Sequence, residues 1–401
     1  MTGFLLGSRI CVVMLAGSLG MRAATLTTLH NSIASTGAGP YAGVVQGSDG
    51  NFYGTAYFGG PAGLGSVYQL TPAGGYSALY SFCEDCLPVA GGAPHAGLIE
   101  SPDGLFYGAA TADGCCGGGA IFSVTASGVA SAVYGFCSQL SCADGASPEG
   151  SLVFGPGGNL YGTTSKGGSS GTGTVFEVTP GGTLTTLHSF CTQTGCPDGS
   201  SPFAGVLFTS DGILYGTTQK GGARGEGTIF RITPAGAFAT LHSFCSAGGC
   251  ADGANPKAAV IEGADGNLYG TTVDGGAHNG GSIFKTTREG VFTTLYSFCA
   301  QSECADGRSP TGSLVQGTDG QFYGTTLYGG NYSAGSIFSI NAAGELTTLY
   351  SFCSKSGCAD GENPDAALIQ AANGDFYGTT FNGGTFGLGT VFRLSVGLGG
   401  E

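Results

Sequence analysis

The sequence has little positive charge, and its cations are scattered. Only 12 of the 401 residues are Lys or Arg, against 26 Asp and Glu, so the formal net charge is −14. Neutralising phosphates requires clustered cations. Nucleic acid is therefore not an expected partner, whereas divalent cations, neutral glycans and basic partners are electrostatically easier ligands.

Helical periodicity and long apolar runs are also missing. An apolar run at residues 10–16 follows Arg9, and small residues occupy 17–24. This run is too short to span a bilayer comfortably. Residues 1–24 are therefore interpreted as a secretory signal peptide, with an uncleaved membrane anchor as the alternative. Once the signal is removed, no stable membrane insertion is expected.

A five-residue motif, Leu-Tyr-Gly-Thr-Thr at residues 160–164, recurs with a strict period. Its tyrosine is repeated every 54 residues, at Tyr53, Tyr107, Tyr161, Tyr215, Tyr269, Tyr323 and Tyr377. The 80 glycines fall at fixed places in each repeat, which indicates turns and close packing instead of disorder. A period this strict is typical of a repeat architecture.

Each repeat predicts four short strands. In residues 202–255 the expected strands are 203–208, 213–218, 228–233 and 238–244, and Asp211-Gly212 is expected to form a type I′ hairpin turn. Strands 1 and 3 are apolar on both faces, which indicates a sheet covered on both sides. Stacked four-stranded sheets around an axis satisfy this pattern.

The two ends of the chain predict how the ring closes. Residues 25–30 match the fourth strand of a repeat, whereas the seventh repeat ends after its third strand at 391–394. The N-terminal strand is therefore expected to complete the last blade, which leaves no open sheet edge. The predicted fold is an all-β, seven-bladed β-propeller with four antiparallel strands per blade, formed by residues 25–401 as a single domain.

Cysteine usage favours an oxidising compartment. Without Cys11 of the signal segment, fourteen of the 15 cysteines remain, an even number. The expected local disulfides are Cys137–Cys142, Cys191–Cys196, Cys245–Cys250, Cys299–Cys304, Cys353–Cys358 and the shorter Cys83–Cys86. Zinc is the alternative, but it needs four converging ligands and each loop offers two. Cys115 and Cys116 are either a vicinal disulfide or two thiols with other partners.

The repeat pattern carries a family resemblance over residues 25–395. Its elements are Gly-Ser-Leu-Val at 312–315, the motif segment at 319–326, Gly329-Gly330, residues 335–338, and the fourth strand at 346–352. This pattern resembles the GloVer tandem-repeat proteins. The resemblance implies an exported bacterial protein with a choice-of-anchor C terminus, and it supplies no catalytic residues or cofactor.

The residue after each blade-opening proline varies, although its neighbours barely change. In a propeller the loops between strands 2 and 3 and the connections between blades share one face; here these loops are long (220–227 and 245–255 in the reference repeat), so this is the long-loop face, and the opposite, short-turn face carries the turns between strands 1 and 2 and between strands 3 and 4. Positions that differ between repeats are free to carry function, and these residues are expected near the mouth of the central channel on the long-loop face. They are Tyr41, His95, Glu149, Phe203, Lys257, Thr311 and Asp365. His95 and Glu149 are the neighbouring acid–base candidates. The alternative is sequence drift at solvent-exposed loop ends.

Two further sets of residues repeat on the same face. One variable set follows the motif: Phe58, Ala112, Lys166, Lys220, Asp274, Tyr328 and Asn382, with His278 in the same loop as Asp274. The other is an aspartate in each connection between blades: Asp144, Asp198, Asp252, Asp306 and Asp360. A turn-forming role for these aspartates is favoured over calcium binding, because calcium needs six or more clustered oxygens.

Three functions remain compatible with the sequence. The favoured one is a non-catalytic module that binds a glycan or a surface protein in the extracellular space, at the cell surface or in the periplasm. The second is an extracellular polysaccharide lyase or hydrolase that uses His95, Glu149, Lys257 or Tyr41. The third is a structural cell-surface element. No metal or cofactor is expected for any of them.

Overall fold

The chain forms seven four-stranded antiparallel sheets arranged as a β-propeller, as the repeat predicts. The computed structural model describes residues 24–83, 91–112 and 117–398. The expectations for the signal segment before residue 24, for Cys86 and for the Cys115–Cys116 pair lie outside these residues. Within the described ranges, no helix combines the length and apolarity needed to cross a membrane.

The strands are numbered in chain order, and each blade uses four of them. Blade 1 has β2 (Val45–Gln46), β3 (Phe52–Ala56), β4 (Ser66–Leu70) and β5 (Tyr76–Ser81). Blade 2 has β6 (Ile99–Glu100), β7 (Leu105–Ala110), β8 (Ala120–Thr125) and β9 (Ala130–Gly135). Blade 3 has β10 (Val153–Phe154), β11 (Leu160–Thr164), β12 (Thr174–Val178) and β13 (Leu184–Ser189). Blade 4 has β14 (Leu207–Phe208), β15 (Leu214–Thr218), β16 (Thr228–Ile232) and β17 (Phe238–Ser243).

The remaining blades follow the same plan. Blade 5 has β18 (Ile261–Glu262), β19 (Leu268–Thr272), β20 (Ser282–Thr286) and β21 (Phe292–Ser297). Blade 6 has β22 (Val315–Gln316), β23 (Phe322–Thr326), β24 (Ser336–Ile340) and β25 (Leu346–Ser351). Blade 7 has β26 (Ile369–Gln370), β27 (Phe376–Thr380), β28 (Thr390–Ser395) and β1 (Thr25–Asn31). Short 3-10 turns lie at Leu140–Cys142, Pro156–Gly158, Gly248–Cys250, Ser302–Cys304 and Ser356–Cys358.

The N-terminal strand closes the ring, as the chain ends predict. β1 pairs antiparallel with β28, with Thr25 opposite Ser395 and Asn31 opposite Thr390. Near the axis, Thr379 Oγ1 donates a hydrogen bond to the backbone oxygen of Ala42 at 3.1 Å. Blade 7 thereby gains its fourth strand and joins blade 1, so β28 is not left as an unpaired outer edge.

Two local predictions for the reference repeat are wrong. The first strand is not residues 203–208 but only Leu207–Phe208, because the preceding backbone runs along the crowded axis. A Cβ at Gly205 would overlap the backbone oxygen of Ser151 in the neighbouring blade. The hairpin turn is not type I′, which needs two positive φ angles. Only Gly212 has positive φ (+78°), as in a type I turn followed by a left-handed glycine.

The repeated motif has a structural role at each residue. In three blades the tyrosine hydroxyl donates to the turn aspartate, as Tyr269 does to Asp265 Oδ2 at 2.9 Å. The glycine leaves room for the phenylalanine opposite it, since a Cβ at Gly162 would lie 2.7 Å from Phe176 Cζ. The second threonine bonds across to the third strand, as Thr164 Oγ1 does with Thr174 Oγ1 at 2.8 Å. The motif is therefore scaffold, as the sequence indicates.

The connections between blades are clamped by the five predicted disulfides with five-residue spacing. Cys83 is also disulfide-bonded. Within the described residues, the candidate metal cluster is Cys353, Cys358 and Glu362, and its two sulfurs are bonded to each other. This bond leaves no thiolate in that cluster to bind zinc.

A buried or half-buried aspartate organises each clamped loop. Asp360 accepts hydrogen bonds from Tyr350 Oη at 2.7 Å, from Ser354 Oγ at 2.7 Å, and from the backbone nitrogens of Ser354 and Lys355. Where the tyrosine is replaced by His188, its Nε2 lies 2.9 Å from Asp198 Oδ2. The carboxylates are thus satisfied inside the loop, which supports the turn-forming interpretation.

Candidate functional site

The seven variable residues after the opening prolines come together at the mouth of the central channel. Tyr41, His95, Glu149, Phe203, Lys257, Thr311 and Asp365 all line one cavity of about 410 Å³. Below them the wall is made of small residues, including Gly43, Gly97 and Ala259. The sequence placed these seven residues at the mouth, and the structure brings all of them into one site.

Threonines of the motif hold most of this ring in place. The first threonine of a blade donates its hydroxyl to the backbone oxygen of the residue that follows the next blade's ring residue. The bonds are Thr55 to Ala96, Thr163 to Ala204, Thr217 to Ala258, Thr271 to Gly312, Thr325 to Ala366 and Thr379 to Ala42, over 2.7–3.3 Å. Blade 2 has Ala109 at this position and lacks the bond. Glu149 is held instead by Ser165 Oγ, which donates to Oε1 at 2.7 Å.

One side of the mouth is an aromatic wall. The Tyr41 ring stacks on the His95 ring with centroids 4.2 Å apart, and it meets Phe381 at 4.5 Å and Tyr57 at 5.2 Å. His95 also meets Phe203 edge to face at 5.1 Å. The flat rings of such a wall can stack on an apolar face of a ligand, and these side chains lose little conformational entropy when they do.

Charged side chains line the same mouth as these rings. Lys257 Nζ lies 5.5 Å from the centroid of the Phe203 ring. Burial raises the pKa of both Glu149 and Asp365, and the positive charge of Lys257 opposes the rise in each. Thr311 Oγ1 donates to the backbone oxygen of Asp365 at 3.3 Å. A cation, two carboxylates and a hydroxyl thus line the mouth together with the aromatic rings.

His95 is uncharged at neutral pH. Burial lowers its pKa to about 4, and the charge of Lys257 adds to this, although a hydrogen bond with the Glu149 backbone opposes it.

The ring residues are half-buried or buried, so the alternative of solvent-exposed loop ends is wrong about their exposure. The His95 ring packs on aromatic rings and the Glu149 carboxylate binds Ser165. The two candidates share the cavity but have separate partners.

An adjoining cavity of about 470 Å³ opens beside the mouth. Three members of the second variable set line it, Phe58, Ala112 and Lys166, together with Tyr41, His95 and Glu149 of the ring. The others in that set, Lys220, Asp274, Tyr328, Asn382 and His278, lie on the loops of blades 4 to 7.

Our sequence reasoning missed Tyr57 and Phe381. Both directly follow the five-residue motif, at a position that varies between repeats and could have revealed them.

Comparison with solved structures shows the fold. No curated protein matches the sequence. The chain is similar to the extracellular domain of a protein described as a hybrid two component system from B. thetaiotaomicron, with 9% identity and a TM-score of 0.58 over 91% of this chain and 39% of that one. It is also similar to puromycin hydrolase, with 14% identity and a TM-score of 0.53 over 86% of this chain and 50% of that one. The chain thus spans at most half of either protein, and at these identities the likeness concerns the β-propeller fold alone.

The family comparison covers far more of the sequence. The model of the Gloeobacter/Verrucomicrobia repeat matches residues 18–198 and 191–392. These two overlapping matches include all seven copies of the tyrosine motif, which accords with the resemblance seen in the sequence. The chain belongs to the Gloeobacter/Verrucomicrobia repeat family.

Proposed function

We propose that this propeller is an exported carbohydrate-binding module whose site is the mouth of the central channel. The observation that carries the proposal is one cavity whose lining combines the rings of Tyr41, His95 and Phe203 with the charged side chains of Lys257 and Asp365. A sugar ring has an apolar face and a rim of hydroxyls. Aromatic rings suit the face, while carboxylates, a cation and a hydroxyl suit the rim.

The size of the site supports a sugar unit as the occupant. A cavity of about 410 Å³ lies within the range of small-molecule sites. The surrounding ring is fixed by threonine hydrogen bonds from the scaffold, so little ordering is needed on binding. A protein partner is the less favoured occupant, because the polar groups of the ring lie inside a concave mouth.

Export and anchoring are part of the proposal. The disulfides and the N-terminal signal pattern support an oxidising location outside the cytoplasm. A choice-of-anchor attachment at the C terminus is proposed from the family resemblance alone. Fractionation of the native cells, with N-terminal sequencing of the mature chain, tests both points. A cytoplasmic chain that retains residues 1–24 would contradict them.

A second candidate function is a polysaccharide hydrolase or lyase. Specific support comes from the raised pKa of Glu149 and Asp365 and from the neutral His95, since environments that shift pKa values are typical of acid–base sites. Glu149→Gln distinguishes the functions: it abolishes turnover by an enzyme, whereas a binding module shows no turnover in either form. Release of reducing ends from soluble polysaccharides is the measurement.

The proposed binding is tested by a glycan array with the purified protein, followed by titration of the sugars that bind. We expect Tyr41→Ala to weaken the affinity at least about tenfold, as for a central aromatic anchor. Val291→Ala is the control, because Val291 is exposed on the opposite face and its loss should leave affinity unchanged. An array with no binding sugar, or equal affinity in both variants, would contradict the proposal.

A further inference from the structure

The exposed aromatic side chains are confined to one part of the surface. Within the described residues, the large aromatics that stand out to solvent are Phe58, Tyr328, Tyr332 and Phe386, which are 49%, 43%, 54% and 62% exposed. All four lie on the loop between strands 2 and 3, in blades 1, 6 and 7. These three blades are neighbours because β1 closes the ring. The aromatics therefore form one arc on the long-loop face.

The fold does not require aromatic residues at these positions. Tyr332 and Phe386 occupy the tips of their loops, where blades 4 and 5 have Arg224 and His278. Phe58 and Tyr328 occupy the position that is Lys166, Lys220 or Asp274 in blades 3, 4 and 5. All of these equivalents are exposed as well. The same backbone thus carries an aromatic arc on one side of the face and charged residues on the other.

The aromatic arc is continuous with the channel mouth. The ring of Phe58 lies 4.5 Å from Tyr57 and 6.4 Å from Phe381, and both of these rings contact Tyr41. Burial raises the pKa of Tyr41, and smaller contributions to this rise come from Asp365, Tyr57 and Tyr328 in that order. The rings of Tyr57, Phe381 and Phe58 therefore lead outward from the cavity at blades 7 and 1, and the neighbouring loops of blades 6 and 7 carry the other exposed rings.

The loops that present these rings are held firmly. In blade 7 the Gly384 nitrogen donates to the backbone oxygen of Cys358, and in blade 6 Gly330 donates to Cys304, each at 2.9 Å. Both acceptors belong to disulfide-clamped connections. The rings are thus displayed on braced loops, which lowers the entropy cost of binding.

The surroundings of the rings favour a sugar chain as the occupant. Tyr332 stands between Asn331 and Ser333, and Phe386 follows Thr385, all of them exposed. Asn382 Nδ2 donates to Asn363 Oδ1 at 3.2 Å beside the same loop. Hydroxyl and amide groups next to separate aromatic rings suit a sugar chain, in which apolar ring faces alternate with hydroxyl groups. A hydrophobic protein partner would instead call for a contiguous apolar patch.

We infer that the arc formed by Phe58, Tyr328, Tyr332 and Phe386 binds an oligosaccharide chain that continues outward from the sugar unit in the mouth. The inference rests on the proposed function and specifies the form of its ligand, a chain longer than the mouth can hold. Binding energy then grows with chain length until the rim of blades 6 and 7 is reached.

The test compares short and long probes in matched variants. The probes are the tri- and hexasaccharides of β-1,4-linked glucose and of α-1,4-linked galacturonate, which separate neutral from acidic chains. The variants are Tyr332→Ala/Phe386→Ala and its control Arg224→Ala/His278→Ala, which changes the same loop tips in blades 4 and 5. All four side chains are exposed, so both variants should fold; melting temperature verifies this.

We expect the wild-type protein to bind one hexasaccharide at least about tenfold more tightly than its trisaccharide. The aromatic double variant loses this gain and keeps the trisaccharide affinity, whereas the control variant keeps both. A length gain that survives in the aromatic double variant, or trisaccharide binding with no length gain in the wild type, overturns the inference while leaving the mouth site standing.

A third variant, Tyr41→Ala, separates failure of the mouth from failure of the arc. If it binds the hexasaccharide as the wild type does while the aromatic double variant does not, the arc binds carbohydrate and the proposed mouth site is wrong. If none of the four probes binds to the wild type, the inference is overturned for glucan and galacturonate chains.

Discussion

The two faces of the propeller are built from the same repeat, yet their cationic side chains differ in whether they have carboxylate partners. On the short-turn face several cations are paired: Lys285 Nζ lies 2.8 Å from Asp265 Oδ2, and Arg288 binds Asp211 and Glu262. Arg231, at the position equivalent to Lys285, has no carboxylate oxygen of the described residues within 4.0 Å. On the long-loop face of the described chain, Lys166, Lys220, Arg224, Lys257 and Arg308 have no carboxylate oxygen within 4.0 Å.

This difference separates scaffold from working surface. Paired charges on the short turns stabilise the scaffold, although the residues that carry them differ from blade to blade. Unpaired charges and exposed rings on braced loops leave their interactions open for a ligand. Changes to the scaffold that both faces share should therefore cost more stability than changes confined to the long-loop face.

The largest effect is expected from opening the ring. Deleting residues 25–30 removes most of β1 and leaves β28 with an unpaired edge. We expect a loss of more than about 4 kcal/mol of unfolding free energy, beyond the range of ordinary point substitutions. Urea denaturation measures it. An unchanged midpoint would show that β1 does not close the fold.

A smaller loss is expected from crowding the axis between blades 3 and 4. Gly205→Ala places a Cβ against the backbone oxygen of Ser151, which cannot move aside easily, and should cost about 3 kcal/mol. Gly97→Ala is the matched control at the same position of blade 2. Its Cβ would meet the Gly43 oxygen at 3.6 Å, an ordinary contact. Equal melting temperatures for the two variants would refute the close approach.

Asp360→Ala removes the aspartate of a clamped loop. It should lower the unfolding free energy by about 2 kcal/mol, as expected when hydrogen bonds to a charged group are lost. Although burial opposes it, hydrogen bonds from Tyr350 and Ser354 lower the pKa of Asp360. Its contribution is therefore present above the unfolded value near 3.8 and is lost as pH falls through the folded value.

The measurement is the difference in unfolding free energy between wild type and Asp360→Ala at several pH values. Glu362→Ala is the control, since that neighbouring carboxylate makes none of these bonds. The Asp360→Ala difference should shrink at acid pH. A difference that stays constant from neutral pH to pH 2 would mean that the carboxylate does not organise the loop.

On the long-loop face, His95 should make stability depend on pH. Its pKa is about 4 when folded, below the ordinary 6.5, so the unfolded chain binds the proton first. The contribution is present above pH 6.5 and is lost as pH falls towards 4, by about 1 to 2 kcal/mol at pH 5. His95→Gln should remove this loss. An identical pH dependence in wild type and variant would contradict the burial of a neutral imidazole.

The period of 54 residues explains how much of the fold and of the channel mouth could be predicted from the sequence. Tyr53 to Tyr377 mark equivalent places in seven blades, so the sequence alone predicts the fold, the closing strand and the ring that starts at Tyr41. Contacts between blades are not visible in a single repeat. That is why the short inner strand at Leu207, the half-buried ring and the aromatic wall with Tyr57 and Phe381 emerged only from the structure.

Hydrogen exchange with and without a saturating hexasaccharide tests the contrast between the two faces most directly. We predict slower exchange in residues 57–64, 327–334 and 381–388 and around the channel mouth, since these segments carry the rings and the braced loops. The short turns, such as residues 209–213, should exchange at unchanged rates. Protection at the short turns, or none on either face while the sugar is bound, would contradict the assignment of the long-loop face as the binding surface.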